Sequence, residues 1–164
     1  MVVVVVVVVP THPSAAPPCA DPNKRDMENQ TALHLALDFH ENYNGVDLAL
    51  AELLLEHGAD PALGSNEIGM DNGCLHAAVM SSDADALKLL LRKGAKHSAV
   101  GKGGFTPLTL AARSGAMGCI VPLLAAGADP DAKAPMGKSA REIATVNKRA
   151  KVLEAFDKPP MELS

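Results

Sequence analysis

The stretch Phe105-Thr106-Pro107-Leu108-Thr109-Leu110-Ala111-Ala112, followed 19 residues after Leu108 by Gly127-Ala128-Asp129, decides the fold of this chain. One unit earlier stand Cys74-Leu75-His76-Ala77-Ala78 and then Gly94-Ala95-Lys96, and Leu75 to Leu108 and Gly94 to Gly127 are both 33 residues. Self-similarity at this period marks a stacked repeat array. Such an array buries its core only between neighbouring units and exposes long surfaces suited to gripping other proteins.

Working outward, each unit holds two short helical patterns. In the unit just quoted, Leu108, Ala111 and Ala112 form the i, i+3, i+4 set of a first helix, and Ile120, Val121, Leu123 and Leu124 form the apolar side of a second. Gly115 separates them, and Gly127 supplies the positive-φ stop favoured at a helix C-terminus. A unit before these runs from Asp26 through Thr31-Ala32-Leu33-His34-Leu35-Ala36 to Gly58-Ala59-Asp60, with six extra residues around Glu41-Asn42-Tyr43-Asn44-Gly45. The connection that follows has about three extra residues near Gly64-Ser65-Asn66-Glu67-Ile68-Gly69. A fourth unit begins at Gly137-Lys138-Ser139-Ala140-Arg141 and closes with Val152-Leu153-Glu154-Ala155-Phe156. Arg141 replaces the apolar Leu there, and Glu142, Lys148, Arg149 and Lys151 give the polar outer face that a terminal unit needs.

Composition agrees with closely packed thin helices: Trp is absent, and Tyr43, Phe39, Phe105 and Phe156 are the only aromatics. Cys19, Cys74 and Cys119 lie far apart without C-x-x-C spacing, which indicates neither a disulfide framework nor a zinc site. Reduced, intracellular thiols are expected, and the protein is placed in the cytoplasm, with the nucleus as the second choice. The net charge of −4 hides an asymmetry, with 13 acids and two bases in residues 1–85 against six acids and 13 bases in residues 86–164. A linear array turns this into an acidic first end and a basic last end. Residues 1–25, with Val2 to Val9 and then Pro10, Pro13, Pro17 and Pro18, read as a disordered low-complexity tail. Eight valines fall far short of the roughly 20 apolar residues that cross a bilayer, and no basic region precedes them to make a secretory signal.

Thr106-Pro107-Leu108 with Ala111-Ala112, Leu33-His34-Leu35-Ala36, Leu89-Leu90-Leu91 and the three Gly-Ala pairs resemble the ankyrin repeat. The resemblance covers residues 26–157, leaving a C-terminal tail at 158–164. It implies an all-α solenoid of stacked helix-turn-helix units joined by β-hairpin loops, with a concave binding surface. Gly73-Cys74 stands where the family has Thr-Pro, so the first helix of unit two is expected to start less firmly.

Enzymatic readings fail on context. Ala132 to Ser139 fits a permissive phosphate-loop pattern, but no buried strand precedes it and the glycine-rich turn is missing. His34 and His76 occupy the family's own T-P-L-H position, which implies a structural hydrogen bond to the adjacent turn. His12, His40, His57 and His97 are isolated, and Ser114 and Ser139 lack a nucleophile-elbow context. No catalytic residue, cofactor, metal or small-molecule substrate is expected.

The partner-binding candidates are Met70, Met80, Phe105 and Met136, flanked by Lys102, Arg113 and Lys138, with Met27 at the corresponding place in unit one. The resemblance implies that these finger and first-helix positions face the partner. Thioethers adapt to irregular surfaces, yet the same side chains could instead cover the finger backbone or a neighbouring unit. Tyr43 in the inserted loop is a further candidate. The chain therefore reads as a monomeric, non-catalytic adaptor, scaffold or inhibitor that binds a protein. The alternative is an anionic partner, nucleic acid or membrane, on Arg141, Lys148, Arg149 and Lys151; scarce aromatics and net negative charge speak against it.

Overall fold

A computed structural model describes residues 21–27, 30–37, 47–63 and 73–158. Its described helices are α1 Ala32–Leu37, α2 Leu48–Glu56, α3 Cys74–Met80, α4 Ala84–Arg92, α5 Pro107–Ser114, α6 Met117–Ala125, α7 Ala140–Val146 and α8 Ala150–Asp157. They form four pairs. The inner helices α1, α3, α5 and α7 pack on one another in order, and the outer helices α2, α4, α6 and α8 do the same. The core is the seam between the layers and between the units. Ala36, Ala78, Ala111 and Ala144 are all buried at one recurring inner-helix position, and small side chains there let successive units close up. Leu87, Leu90, Ile120 and Leu123 fill the outer layer. Gly118 continues the close approach: a Cβ there would stand 3.2 Å from the Cβ of Ala84.

Local chemistry sets where each inner helix begins. Thr106 caps α5 in a capping box with Thr109, with Pro107 at the first turn, and Ser139 caps α7 in a box with Glu142. In unit one the box uses an imidazole: Thr31 Oγ1 lies 2.8 Å from His34 Nδ1. In unit two Gly73 caps α3 with backbone only. His76 there is buried; its Nε2 donates to the Phe105 carbonyl at 3.0 Å, and its Nδ1 has no partner.

Each outer helix α2, α4 and α6 ends in a Schellman motif, in which Ala59, Ala95 and Ala128 donate back to Leu54, Leu90 and Leu123. The inner helices α3, α5 and α7 end in the same way, with Asp83, Ala116 and Arg149 donating back to Ala78, Ala111 and Ala144, and this forces a left-handed residue between the two helices of each of these units. That position holds Ser82 (φ 57°), Gly115 (φ 79°) and Lys148 (φ 54°), each 33 residues from the next. For a residue with a Cβ the conformation costs about 1–2 kcal/mol, partly offset by the entropy Gly loses on folding. Ser82→Gly and Lys148→Gly are therefore each expected to stabilise the array by about 0.5–1 kcal/mol, measured by urea unfolding. A loss of stability at both sites would show that the side chains hold the turn in some other way.

The joining fingers are five-residue turns, each closed by two backbone hydrogen bonds: the Gly101 amide to the Phe105 carbonyl (2.8 Å) and Gly104 to Gly101 (3.1 Å), then Ala134 to Lys138 (3.1 Å) and Gly137 to Ala134 (2.7 Å), with no laddered strand among the described residues. At the acidic end, Asn23 accepts from the Asp60 amide at 2.7 Å and donates to the Gly58 carbonyl at 3.0 Å. Residues 21–25 are thus tied to unit one although their composition groups them with the tail. At the basic end, Arg141 bonds Asp131 (2.7 Å) and Asp157 (2.6 Å), and its guanidinium lies 5.8 Å from the centroid of the Phe156 ring. This network closes the last unit with polar groups. The inserted segments around Tyr43 and Ile68 lie outside the described residues.

Candidate protein-binding surface

In the last turn of α3, α5 and α7 one recurring position turns its side chain away from the core. Met80 on α3 is 64% exposed, Arg113 on α5 is exposed, and Val146 on α7 is 67% exposed. They stand 33 residues apart, so they form a single row across three stacked helices. One turn earlier on α1, Leu35 is 45% exposed. Period alone would have found Val146, since it is one unit beyond Arg113; Leu35 carries no such signal, because its counterparts Ala77 and Leu110 are half-buried.

Phe105 enters from the finger that leads into α5, and the Arg113 guanidinium lies 5.2 Å from its ring centroid. Phe105 is itself half-buried against the core, and so is Met136. Gly104 shows why: a Cβ on it would sit 2.9 Å from the Met136 amide nitrogen, so one finger rests directly on the next. Phe105 and Met136 therefore cover neighbouring structure with much of their surface, while Met80 stays 64% exposed. Lys102 and Lys138 are exposed on their fingers, and Met27 is fully exposed in unit one. Met70 and Tyr43 lie outside the described residues.

Arg113 and Lys138 are exposed cations of this face, and Glu142 is the acid beside them. Glu142 accepts from the Ser139 amide at 3.0 Å within its capping box, and Arg149 donates to the Arg113 carbonyl at 3.4 Å. Among the described residues neither Arg113 nor Lys138 is in an ion pair with a carboxylate. The basic last unit is different, because two carboxylates already neutralise Arg141.

Groups with reactive potential are consumed by the scaffold. Ser139 Oγ accepts from the Glu142 amide, and Ser114 Oγ donates to the Ala111 carbonyl. Burial pushes the Cys74 thiol up to about 12 and the Cys119 thiol up to about 11, so both are protonated at neutral pH. No cluster of His, Cys, Asp and Glu among the described residues could hold a metal ion. No described helix is long and apolar enough to cross a membrane.

The family model described as Ankyrin repeats (3 copies) matches residues 43–134, more than half of the chain. The chain belongs to the ankyrin-repeat family. Neurogenic locus notch homolog protein 1 of Mus musculus is 38% identical over 119 residues, 72% of this chain and 4% of that protein. The Homo sapiens counterpart is 37% identical over the same length, with the same shares covered. Transient receptor potential cation channel subfamily A member 1 of Homo sapiens is 32% identical over 108 residues, 66% of this chain and 9% of that protein. The chain thus spans a small part of the relatives it matches. Ankyrin repeats are in general non-catalytic protein–protein interaction modules, and the row on the inner helices of this ankyrin array exposes two large apolar side chains, Met80 and Val146.

Proposed function

We propose that the protein is a non-catalytic adaptor, scaffold or inhibitor that binds a protein partner along its inner helices and fingers. The observation that carries this reading is the exposed apolar–basic–apolar row of Met80, Arg113 and Val146, one side chain per unit. Exposed apolar side chains held in register on either side of a cation by a rigid scaffold form a mixed surface that a partner can match on both counts. Pre-stacked units lose little conformational entropy on binding, so contact free energy goes into affinity. Lys102, Lys138, Phe105 and Met136 border the row on the fingers, and Phe105 acts mainly by holding Arg113.

The test compares capture of proteins from native lysate by immobilised wild-type chain and by the Met80→Ser/Val146→Ser variant. Two apolar anchors of about 1–2 kcal/mol each predict at least tenfold weaker capture. The melting temperature should stay within about 2 °C, because both side chains are exposed and surface substitutions change stability little. Equal capture by the two proteins would remove the inner-helix row from the binding site.

A further inference from the structure

We propose that the row Met80–Arg113–Val146 takes an extended segment of the partner in which one carboxylate side chain is flanked, three residues away on each side, by apolar side chains. This rests on the inner-helix binding surface proposed above and adds the chemistry of what it recognises. The order of the row gives the order of the ligand: apolar, cationic, apolar. Arg113 has no carboxylate partner among the described residues, while Glu142, the acid of the inner helix beside it, is engaged by the Ser139 amide. Lys138 adds a second cation on the adjoining finger, without a carboxylate partner among the described residues, and Arg149 lies against the Arg113 carbonyl. Among the described residues, a carboxylate arriving here meets two cations without carboxylate partners, and the acid of the adjoining inner helix, Glu142, is already turned to its own helix cap.

The Phe105 ring beneath Arg113 holds the guanidinium in place. Its planar fork is therefore pre-organised for bidentate contact with a carboxylate, and less side-chain freedom is lost on binding. The spacing selects the ligand's backbone. Packed helices lie about 8–10 Å apart, so the three side chains project at intervals of about that size. A polyproline II segment has three residues per turn and rises about 3.1 Å per residue, which brings positions i, i+3 and i+6 to one face about 9 Å apart. A β-strand turns i and i+3 to opposite faces. An α-helix returns to one face at i+3 and i+4, about 5–6 Å on, and again at i+7, about 10.5 Å on, so its repeats fall short of the row's interval or beyond it.

A random 12-residue peptide library displayed against the full chain tests this without knowledge of the partner. Enriched sequences should carry an Asp or Glu with apolar residues at three positions on either side. A fluorescent peptide of that consensus should bind Arg113→Glu at least tenfold more weakly, and its acid-to-Lys counterpart should recover most of the loss on that variant. Peptides that need Met80 and Val146 but carry no acid, or ignore Arg113→Glu, overturn the acidic-segment assignment and leave the surface in place. Peptides that bind the Met80→Ser/Val146→Ser variant undiminished overturn both. A library that yields no binder overturns recognition of a linear segment, and the lysate comparison then still decides the surface.

Discussion

Replacing Gly73 by Thr is expected to stabilise the array by about 2 kcal/mol and to raise its melting temperature by roughly 4–8 °C. Gly73 stands at the cap of α3 with φ −72° and ψ 174°, an extended backbone that Thr adopts without strain. Three contributions add. A hydroxyl cap in place of Gly gives a few tenths of a kcal/mol. Fewer conformations in the unfolded chain give about 0.4–1 kcal/mol. The largest part comes from His76. Its Nε2 must carry the proton, because its partner there, the Phe105 carbonyl, can only accept. Nδ1 is therefore a bare acceptor, buried and unpartnered, and leaving such a group unsatisfied costs about 1–3 kcal/mol. Unit one shows the remedy in place, with Thr31 Oγ1 at 2.8 Å from His34 Nδ1. Gly73→Ala separates the contributions, since it restricts the unfolded chain but offers no hydroxyl; it should give less than half the gain.

The same histidine makes the gain depend on pH. Burial holds the His76 imidazole below its ordinary value, outweighing the Phe105 hydrogen bond. The unfolded chain then binds the proton first as pH falls through about 6.5, so stability is full above that pH and declines below it. A Thr hydroxyl donating to Nδ1 disfavours the imidazolium further. The benefit of Gly73→Thr is therefore expected to be full wherever the folded imidazole is neutral and to shrink only as pH falls through its lowered folded value, as read from a series of urea unfolding curves from about pH 7.5 downward. A benefit that is unchanged throughout the series, and matched by Gly73→Ala, would show that the imidazole plays no part.

The parts readable from sequence were those set by short-range chemistry. The period fixed the pairing of helices, because Leu75 and Leu108, or Gly94 and Gly127, must occupy equivalent places if the units stack. Thr106 and Ser139 cap their helices as their spacing to Thr109 and Glu142 requires. The structural hydrogen bond implied for the T-P-L-H histidines is present, from His76 to the Phe105 carbonyl. Gly73 gives α3 no side-chain cap, in line with its departure from the Thr-Pro pattern.

What could not be read depends on where one unit settles against the next. Ser82 and Lys148 take the left-handed position that Gly115 announces, but no residue type reveals it there; only the register does. Phe105 and Met136 looked like members of one exposed stripe with Met80, and they are not equivalent to it. Composition cannot tell a finger side chain that faces a partner from one that covers the next finger, since both are apolar at the same spacing. The decision comes from a backbone contact, Gly104 against Met136, between residues 32 positions apart.

That contact gives the last large effect. Gly104→Ala is expected to cost about 3 kcal/mol, while Gly137→Ala, one unit later at the same finger position, should cost about 1 kcal/mol. Both glycines have positive φ, 76° and 87°, so each variant meets the left-handed penalty, about 1–2 kcal/mol less the entropy that Ala saves in the unfolded chain. They differ in what the new methyl touches. At Gly137 nothing lies within 4 Å, whereas at Gly104 the Met136 amide nitrogen is 2.9 Å away and cannot rotate aside like a side chain. The additional cost, about 1–3 kcal/mol, is that of overpacking against backbone. Hydrogen exchange locates it: protection should fall at the Ala134 and Gly137 amides, which close the last finger, while α3 and α4 stay protected. Because α5 and α7 remain packed through Ala111 and Ala144, the row of Met80, Arg113 and Val146 should keep its spacing while the fingers beside it move apart. Equal costs at the two glycines would mean that the fingers are free to separate, and Met136 would then rejoin Met80 as a side chain available to a partner.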